Sequence, residues 1–481
     1  MTPGGFVGID PQGLAGLAER VEREAALLGV IGRTLLGIGR RHSCGDGGNG
    51  SSLERIAEAL AEAAEGMRWR ADMIAADGAA PTTPLAEFAA FALFAGLPDP
   101  RQLDRWCTSP DPEVLVRMSP EQVAAEFRCV APSIGEGLAR TRPRLIGSLD
   151  GAPSRLRYLA NRLLIETRIE QLERQLADVV RSDTPDWRRW ALTPSWPLRW
   201  YPLGQLTAVV AEYLREQIER YRGWIAEDRQ ILLFDPGGDG CVAEVFGDLE
   251  SARHVAVVVP GMANDLDGFD SANGLRRNAA RLQHAAAQYG PDGATIAWLG
   301  YDTPDGADAA LGGAAAGGTE ALRALLEGID PTAEKHMTVV AHSYGSVLAG
   351  AAASTGLPID DLVLVGSPGT TLDNAGEALL RPGGRVWVAL APGDPVGAAI
   401  SPSELPPWWL PGVLGALWFA GDMINGPESL WHGSNPAADS FGATRISTEG
   451  SAGHSDYFEE GSLANLALIM RGRYDEVDLA D

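Results

Sequence analysis

Ala341-His342-Ser343-Tyr344-Gly345 lies inside MTVVAHSYGSVLAGAAA (337–353), an apolar run, a serine, then small residues of helical type. A serine hydroxyl is a poor nucleophile unless a turn exposes it and a base takes its proton. A strand–turn–helix elbow with small residues two before and two after the serine does the first job, because the following helix crowds the turn. Ala341 is small enough for the leading place, although glycine would sit there with less strain. The helix N-terminus then offers the Tyr344 amide to a developing oxyanion and favours negative charge there. Such a group carries out acyl transfer through a covalent acyl-enzyme. The five residues alone are a weak signal; their place between a buried strand and a helix makes it specific. The competing reading is a turn serine in a non-catalytic relative.

Sheets that carry this elbow order their triad as Ser, acid, His. RVWVALAPGDPVG (385–397) supplies Asp394 three residues beyond an apolar run, in a turn set by Gly393 and Pro395. A turn aspartate is also a common cap, and Asp373 and Asp439 are the other candidates. Of seven histidines, His42, His254, His284, His336 and His342 precede Asp394, leaving His432 and His454. His454 follows the last apolar run in EGSAGHSDYF, where a base reaching back over a sheet belongs; His432 reads as a lid or pocket residue. His454 would take the Ser343 proton while Asp394 holds its tautomer. For the second oxyanion donor, VVVPGMANDLDGF offers the Met262 amide after Gly261, with Asn264 as a side-chain alternative. Asp265 and Asp267 should then face solvent. Gly261, Tyr301, His342, His432, Trp408 and Trp409 are the expected substrate-binding residues, with Tyr301 and Asp302 on the pocket rim.

These residues need a rigid frame. After Asp228 short apolar, β-branched runs alternate with helical segments: 231–235, 242–246, 254–261, 295–302, 337–343, 361–368, 385–391 and 444–448. Near-continuous apolar strands separated by helices specify a mostly parallel sheet covered on both faces. The first pair, around GGDG (237–240), reads as an antiparallel edge hairpin. Upstream the pattern is helical. Residues 1–78 read as a helical hairpin (10–41 and 53–73), with Asp10-Pro11 as its N-terminal signal. Its apolar stripe either packs within this chain or recognises a helical partner. GAAPTTP (78–84) is a linker. Residues 85–228 form a second helical region, with long periodic stretches at 153–181 and 204–228. Between those stretches Trp187, Trp190, Trp196 and Trp200 crowd a Pro-rich segment that reads as a cap, a substrate wall or an interdomain plug. A further apolar insertion, with Trp408, Trp409, Leu410 and Trp418, lies between Asp394 and the last strand. It is a lid over an apolar substrate or an ordinary buried helix. Residues 229–481 are the expected catalytic domain.

Composition narrows the partners. A chain of 481 residues with 45% hydrophobic and 21% charged residues is globular. A net charge of −25 opposes binding to nucleic acid or anionic lipid. Cys44, Cys107, Cys129 and Cys241 form neither a metal pattern nor a redox pair. No metal or cofactor is expected, and the chemistry needs none. No basic-then-apolar leader and no run long enough to span a bilayer are visible, which places the expected location in the cytoplasm.

The segments LLFDPGGDG, VVVPGMANDLDGF, WLGYDTP, VVAHSYGS, LVGSPG, GDPV, HGSNP and GHSDYF, in this order, resemble the actinobacterial α/β-hydrolase family of unknown function. The likeness reaches upstream through SPEQVAAEF and LIGSLDGAPSRLRYLANR and covers most of 101–470. It implies an α/β-hydrolase fold, preceded here by a largely helical N-terminal region, and a Ser343–Asp394–His454 triad. Members usually carry glycine where this chain has Ala341. The N-terminal hairpin looks like the helical modules of type VII secretion substrates, which implies that export route, although it lacks their W-x-G. The expected activity is hydrolysis of a hydrophobic ester, small or lipid-like. Acyl transfer, amide or thioester hydrolysis on the same triad, and a non-catalytic scaffold acting through the helical half are the alternatives.

Overall fold

The computed structural model describes residues 110–130, 132–181, 203–304, 313–332, 334–394, 396, 429–430, 432–451 and 453–480. The N-terminal hairpin, the Trp-rich segment at 182–202 and the insertion carrying Trp408 and Trp409 lie outside the described residues.

Two compact units divide the chain: Pro98–Leu164 with Arg229–Asp481, and Met1–Leu97 with Ile165–Asp228. The described part of the first begins with four short helices, α1 (Pro112–Leu115), α2 (Pro120–Arg128), α3 (Pro132–Thr141) and α4 (Pro143–Ser148). Helix α2 starts in a reciprocal capping box, with Ser119 and Gln122 each bonding the other's backbone amide. Helix α5 (Ser154–Arg181) opens in this unit and runs into the second, which also holds α6 (Leu203–Ala226). Within that second unit Arg222 pairs with Glu173 at 2.6 Å, and Tyr221 meets Trp224 edge to face at 5.3 Å.

The sheet of the first unit has eight strands: β1 (Gln230–Asp235), β2 (Cys241–Phe246), β3 (His254–Val259), β4 (Gly293–Leu299), β5 (His336–His342), β6 (Asp361–Val365), β7 (Arg385–Ala389) and, after a separate two-stranded ribbon of β8 (Ser429–Leu430) and β9 (Gly433–Ser434), β10 (Thr444–Arg445). Their order is β1-β2-β4-β3-β5-β6-β7-β10. The pairs from β4 to β10 are parallel, while β2 runs antiparallel to both β1 and β4. All eight apolar runs in the sequence thus become strands, though the last is only two residues long. Strands β4 and β6 are buried along their whole length, as befits a sheet with helices on both faces. The remaining helices are α7 (Leu275–Ala287), α8 (Gly313–Ile329), α9 (Gly345–Thr355) and α10 (Glu460–Met470). Helices α7 and α10 pack together, as do α8 and α9, and α2 lies on α8. Among the described residues no helix is long and apolar enough to cross a membrane. Cys129 and Cys241 are free thiols.

The strand order places a switch point at β3. The chain leaves β3 through α7 to β4 on one side, then crosses back to β5 on the other. The loops leaving β3 and β5 therefore diverge, and a crevice opens at their carboxyl ends. The first of these loops spans residues 260–274, and the second begins at Ser343.

The sequence pattern places residues 85–228 in one helical region; in the structure residues 110–164 pack with the sheet. The reason is polar and long-range. Asn161, with no exposed surface, donates to the Ile231 and Gly147 carbonyls at 3.1 Å. Arg157 donates to the Leu232 carbonyl at 3.0 Å and pairs with Asp150 at 2.8 Å. The outer strand β1 is thereby covered where its ladder is irregular, between Ile231 and Leu233. Helical periodicity carries no information about such bonds. Replacing Asn161 by Leu removes this side-chain donor from the Ile231 carbonyl and leaves the Gly147 carbonyl with Arg157 Nε alone at 3.3 Å, at a cost of about 2 kcal/mol. Urea unfolding should show a lower midpoint at unchanged slope; an unchanged midpoint contradicts this account of the edge.

Candidate active site

Strand β5 ends at His342, and the chain turns so sharply that Ser343 takes a φ of 54°. A non-glycine residue keeps that left-handed conformation only when its surroundings hold it there. Several contacts do so. The Ser343 amide donates to the Val365 carbonyl at 2.9 Å. The Ser343 carbonyl accepts from the Ser346 hydroxyl at 2.6 Å, and the buried hydroxyls of Ser346 and Ser367 lie 2.7 Å apart. Helix α9 then starts at Gly345, where an added methyl would fall 2.5 Å from the Pro260 carbonyl oxygen. Small residues are required there because two backbones touch.

Gly261 faces the elbow from the β3 side. A Cβ on it would lie 2.5 Å from Ser343 Cβ and 3.0 Å from Ser343 Oγ, so the loop passes directly over the serine. Its conformation is fixed from the far side by residues leaving β4. The Tyr301 hydroxyl donates to the Pro260 carbonyl at 2.7 Å. The Ala263 amide donates to the Pro304 carbonyl at 3.1 Å. Thr303 Oγ1 donates to the Asn264 carbonyl at 2.7 Å and accepts its amide at 3.0 Å. The Met262 amide has no acceptor among the described residues. Three expectations change here. Tyr301 is buried beneath the loop rather than on a pocket rim, because its hydroxyl is needed to satisfy a buried carbonyl. Asn264 directs its side-chain amide at the Gly261 and Met262 carbonyls, each at 3.1 Å, and is a brace rather than an oxyanion donor. Asp265 is half-buried rather than solvent-facing, since its carboxylate accepts the Gly268 amide at 2.6 Å; Asp267 is half-buried too. Asp302 is exposed.

Asp394 follows β7 and has no exposed surface. Its Oδ1 accepts the Val396 amide at 2.8 Å. His454 Nδ1 approaches Oδ1 at 3.0 Å and Oδ2 at 2.9 Å, and the Tyr457 hydroxyl donates to Oδ2. Burial alone would raise this carboxyl's pKa. The bonds from His454 and Tyr457 outweigh burial and hold it below the usual carboxylate range. With a carboxylate at Nδ1, the proton of neutral His454 sits on that nitrogen, leaving Nε2 as the basic atom. Asp373 is exposed and Asp439 is almost fully so; neither has a histidine partner among the described residues.

The sequence places His342 against substrate; the structure gives it another task. Its Nε2 lies 2.7 Å from the His454 carbonyl oxygen, and the two rings are 4.7 Å apart. Burial, then the nearby His454, push the His342 pKa down to about 4, so a neutral ring with its proton on Nε2 braces the backbone of His454. His432 stands edge-on to Tyr344 at 5.1 Å, and burial lowers its pKa; it has no carboxylate contact among the described residues. Gly366, with a φ of 54°, closes the cluster. A Cβ there would be 2.8 Å from Asp394 Oδ2 and 3.1 Å from His454 Nδ1. Sequence reasoning alone passes over Tyr457, Ser346 and Gly366, although GHSDYF, HSYGS and LVGSPG contain them.

A carboxyl with a depressed folded-state pKa contributes stability above its unfolded value of about 3.9, and that contribution is lost as pH falls through the folded value. Asp394→Asn should therefore flatten the acid limb of the stability curve below about pH 4. Thermal melting from about pH 7 down to about pH 2.5 reads this directly. Parallel curves for wild type and Asp394→Asn would show that the carboxylate is not stabilised as described.

Residues 235–403 match the alpha/beta hydrolase family model. An uncharacterized protein of Mycobacterium tuberculosis is 34% identical over 274 residues, 51% of this chain and 39% of that protein. An uncharacterized protein of Mycobacterium bovis is 35% identical over 166 residues, 32% of this chain and 62% of that protein. The chain thus spans less than two thirds of the length of these relatives. Eight strands in this order, an elbow at the β3–β5 switch point and the matched segment give this part of the chain the α/β-hydrolase fold, and its sequence is similar to that of uncharacterized mycobacterial proteins.

Proposed function

We propose that the domain is a serine hydrolase cleaving a carboxylic ester through an acyl-enzyme, with Ser343 as nucleophile, His454 as base and Asp394 as its orienting acid. The observation that carries this reading is the His454–Asp394 contact at 2.9 Å, tied to the serine at a φ of 54° through His342, which bonds the His454 carbonyl at 2.7 Å. Ser343 Oγ attacks the acyl carbon while His454 Nε2 takes its proton. Asp394 keeps Nδ1–H directed and stabilises the imidazolium. The Tyr344 amide, at the start of α9, and the Met262 amide receive the oxyanion. His454 then returns its proton to the leaving alcohol, and water, activated by the same imidazole, releases the acid. A hydrophobic acyl group is favoured because Met262, 39% exposed, offers apolar surface beside the elbow.

Turnover of p-nitrophenyl esters of increasing acyl length tests the reading. Ser343→Ala and His454→Ala should each lower kcat by roughly 10⁴-fold or more, and by similar amounts, because the members act as a unit. His432→Ala should leave kcat within about tenfold while altering the acyl-length preference. Retained turnover in Ser343→Ala overturns the proposal; loss in His432→Ala with retention in His454→Ala reassigns the base.

A further inference from the structure

The hydroxyl of Tyr457 is a polar group at this site that the triad chemistry does not use. The side chain has no exposed surface. Its oxygen accepts the Ala391 amide at 3.0 Å and bonds Asp394 Oδ2. A backbone N–H can only donate, and an ionised carboxylate can only accept. The direction is therefore settled without seeing the proton: Tyr457 donates to Asp394. Burial, and the Asp394 charge after it, push the phenol's own pKa well above its ordinary value, so the donor stays protonated at any working pH.

Packing does not account for the hydroxyl. Phenylalanine would fill the same space and would spare the burial of a polar atom. Nor is the fit accidental. Gly366 leaves room for the ring, since a Cβ there would lie 2.8 Å from Tyr457 Cε2. Tyr457 also stands three residues after His454 on the same loop, so that loop meets Asp394 twice, once through the imidazole and once through the phenol.

We propose that Tyr457 works with the triad as a positioning residue, its donated O–H fixing the Asp394 carboxylate against His454 Nδ1. The proposal rests on the serine-hydrolase reading. With Oδ1 held by the Val396 amide and Oδ2 by Tyr457, the carboxylate cannot rotate away when His454 releases its proton. The bond also draws charge from the carboxylate, which moderates its pull on the His454 proton. Removing the phenol O–H concentrates that charge on His454 and favours the imidazolium, so the acid limb of kcat/KM must move to higher pH.

The test compares wild type, Tyr457→Phe and full-length chain carrying 3-fluorotyrosine at position 457, with p-nitrophenyl butyrate as substrate across pH. In Tyr457→Phe, kcat should fall about tenfold with KM within about twofold, and the acid limb should rise by about half a pH unit. The fluorinated phenol, a stronger donor of the same shape, should move the limb the other way. It also serves as the deciding measurement should Tyr457→Phe not fold. A residue that merely packs would lower the melting temperature and leave the limb in place, and that result overturns the proposal. Ser343→Ala separates the two levels. If it is inactive while Tyr457→Phe matches wild type at every pH, only this inference fails. If it retains turnover, the hydrolase reading and this inference fall together.

Discussion

A carboxylate with no exposed surface, Asp394, sets the terms for the rest of the site. An ionised group in such a place is stable only when its lone pairs are met by donors. Three are supplied: the Val396 amide from its own turn, and His454 and Tyr457 from a loop some sixty residues further along the chain. The charge thus organises structure whatever chemistry follows. It recruits the loop after β10 to the carboxyl edge of the sheet, and the imidazole arrives there with its tautomer already chosen. His342 completes the arrangement from the elbow side by bonding the His454 backbone, which links the strand that ends at the serine to the loop that holds the imidazole.

The other half of the site is built from close backbone approach. Gly261 lies over Ser343, and Gly345 meets the Pro260 carbonyl, so the β3 loop and the start of α9 are held against each other across the switch point. This is where a parallel sheet opens a crevice of its own accord. The left-handed turn at Ser343 is tolerated because amide, carbonyl and the Ser346–Ser367 pair fix it from three sides. Tyr301, Thr303 and Asn264 give the β3 loop similar rigidity. On the proposed reading, amides held this rigidly would stabilise charge without rearranging at the moment of reaction.

Much of this was legible in the sequence, and the reasons differ by residue. The strands were readable because burial on both faces leaves unbroken apolar runs, as at 255–259 in β3. The sharp turn at Ser343 was readable because its steric demands dictate the neighbouring residue sizes, and the Asp394–His454 contact because chain order on this sheet is restrictive. What stayed hidden depends on direction in space. Nothing in WLGYDTP says whether the Tyr301 hydroxyl points to a ligand or to a carbonyl. Nothing in VVAHSYGS separates a histidine that touches substrate from one that braces a loop. The Asn161 and Arg157 bonds to β1 join residues 70 and 75 positions apart, and a helical repeat looks the same with or without them. Tyr457 was in plain view three residues after His454, and only the structure shows the acceptor it reaches.

The central claim is that Ser343, among the described serines, is made nucleophilic by its surroundings. Its most direct test is peptide mapping by mass spectrometry after brief treatment with a fluorophosphonate, which reacts with activated serines. The account predicts a single phosphonyl adduct on Ser343, absent after prior denaturation and absent from Ser343→Ala. An unmodified Ser343, or equal labelling of the Ser343→Ala protein, would contradict it.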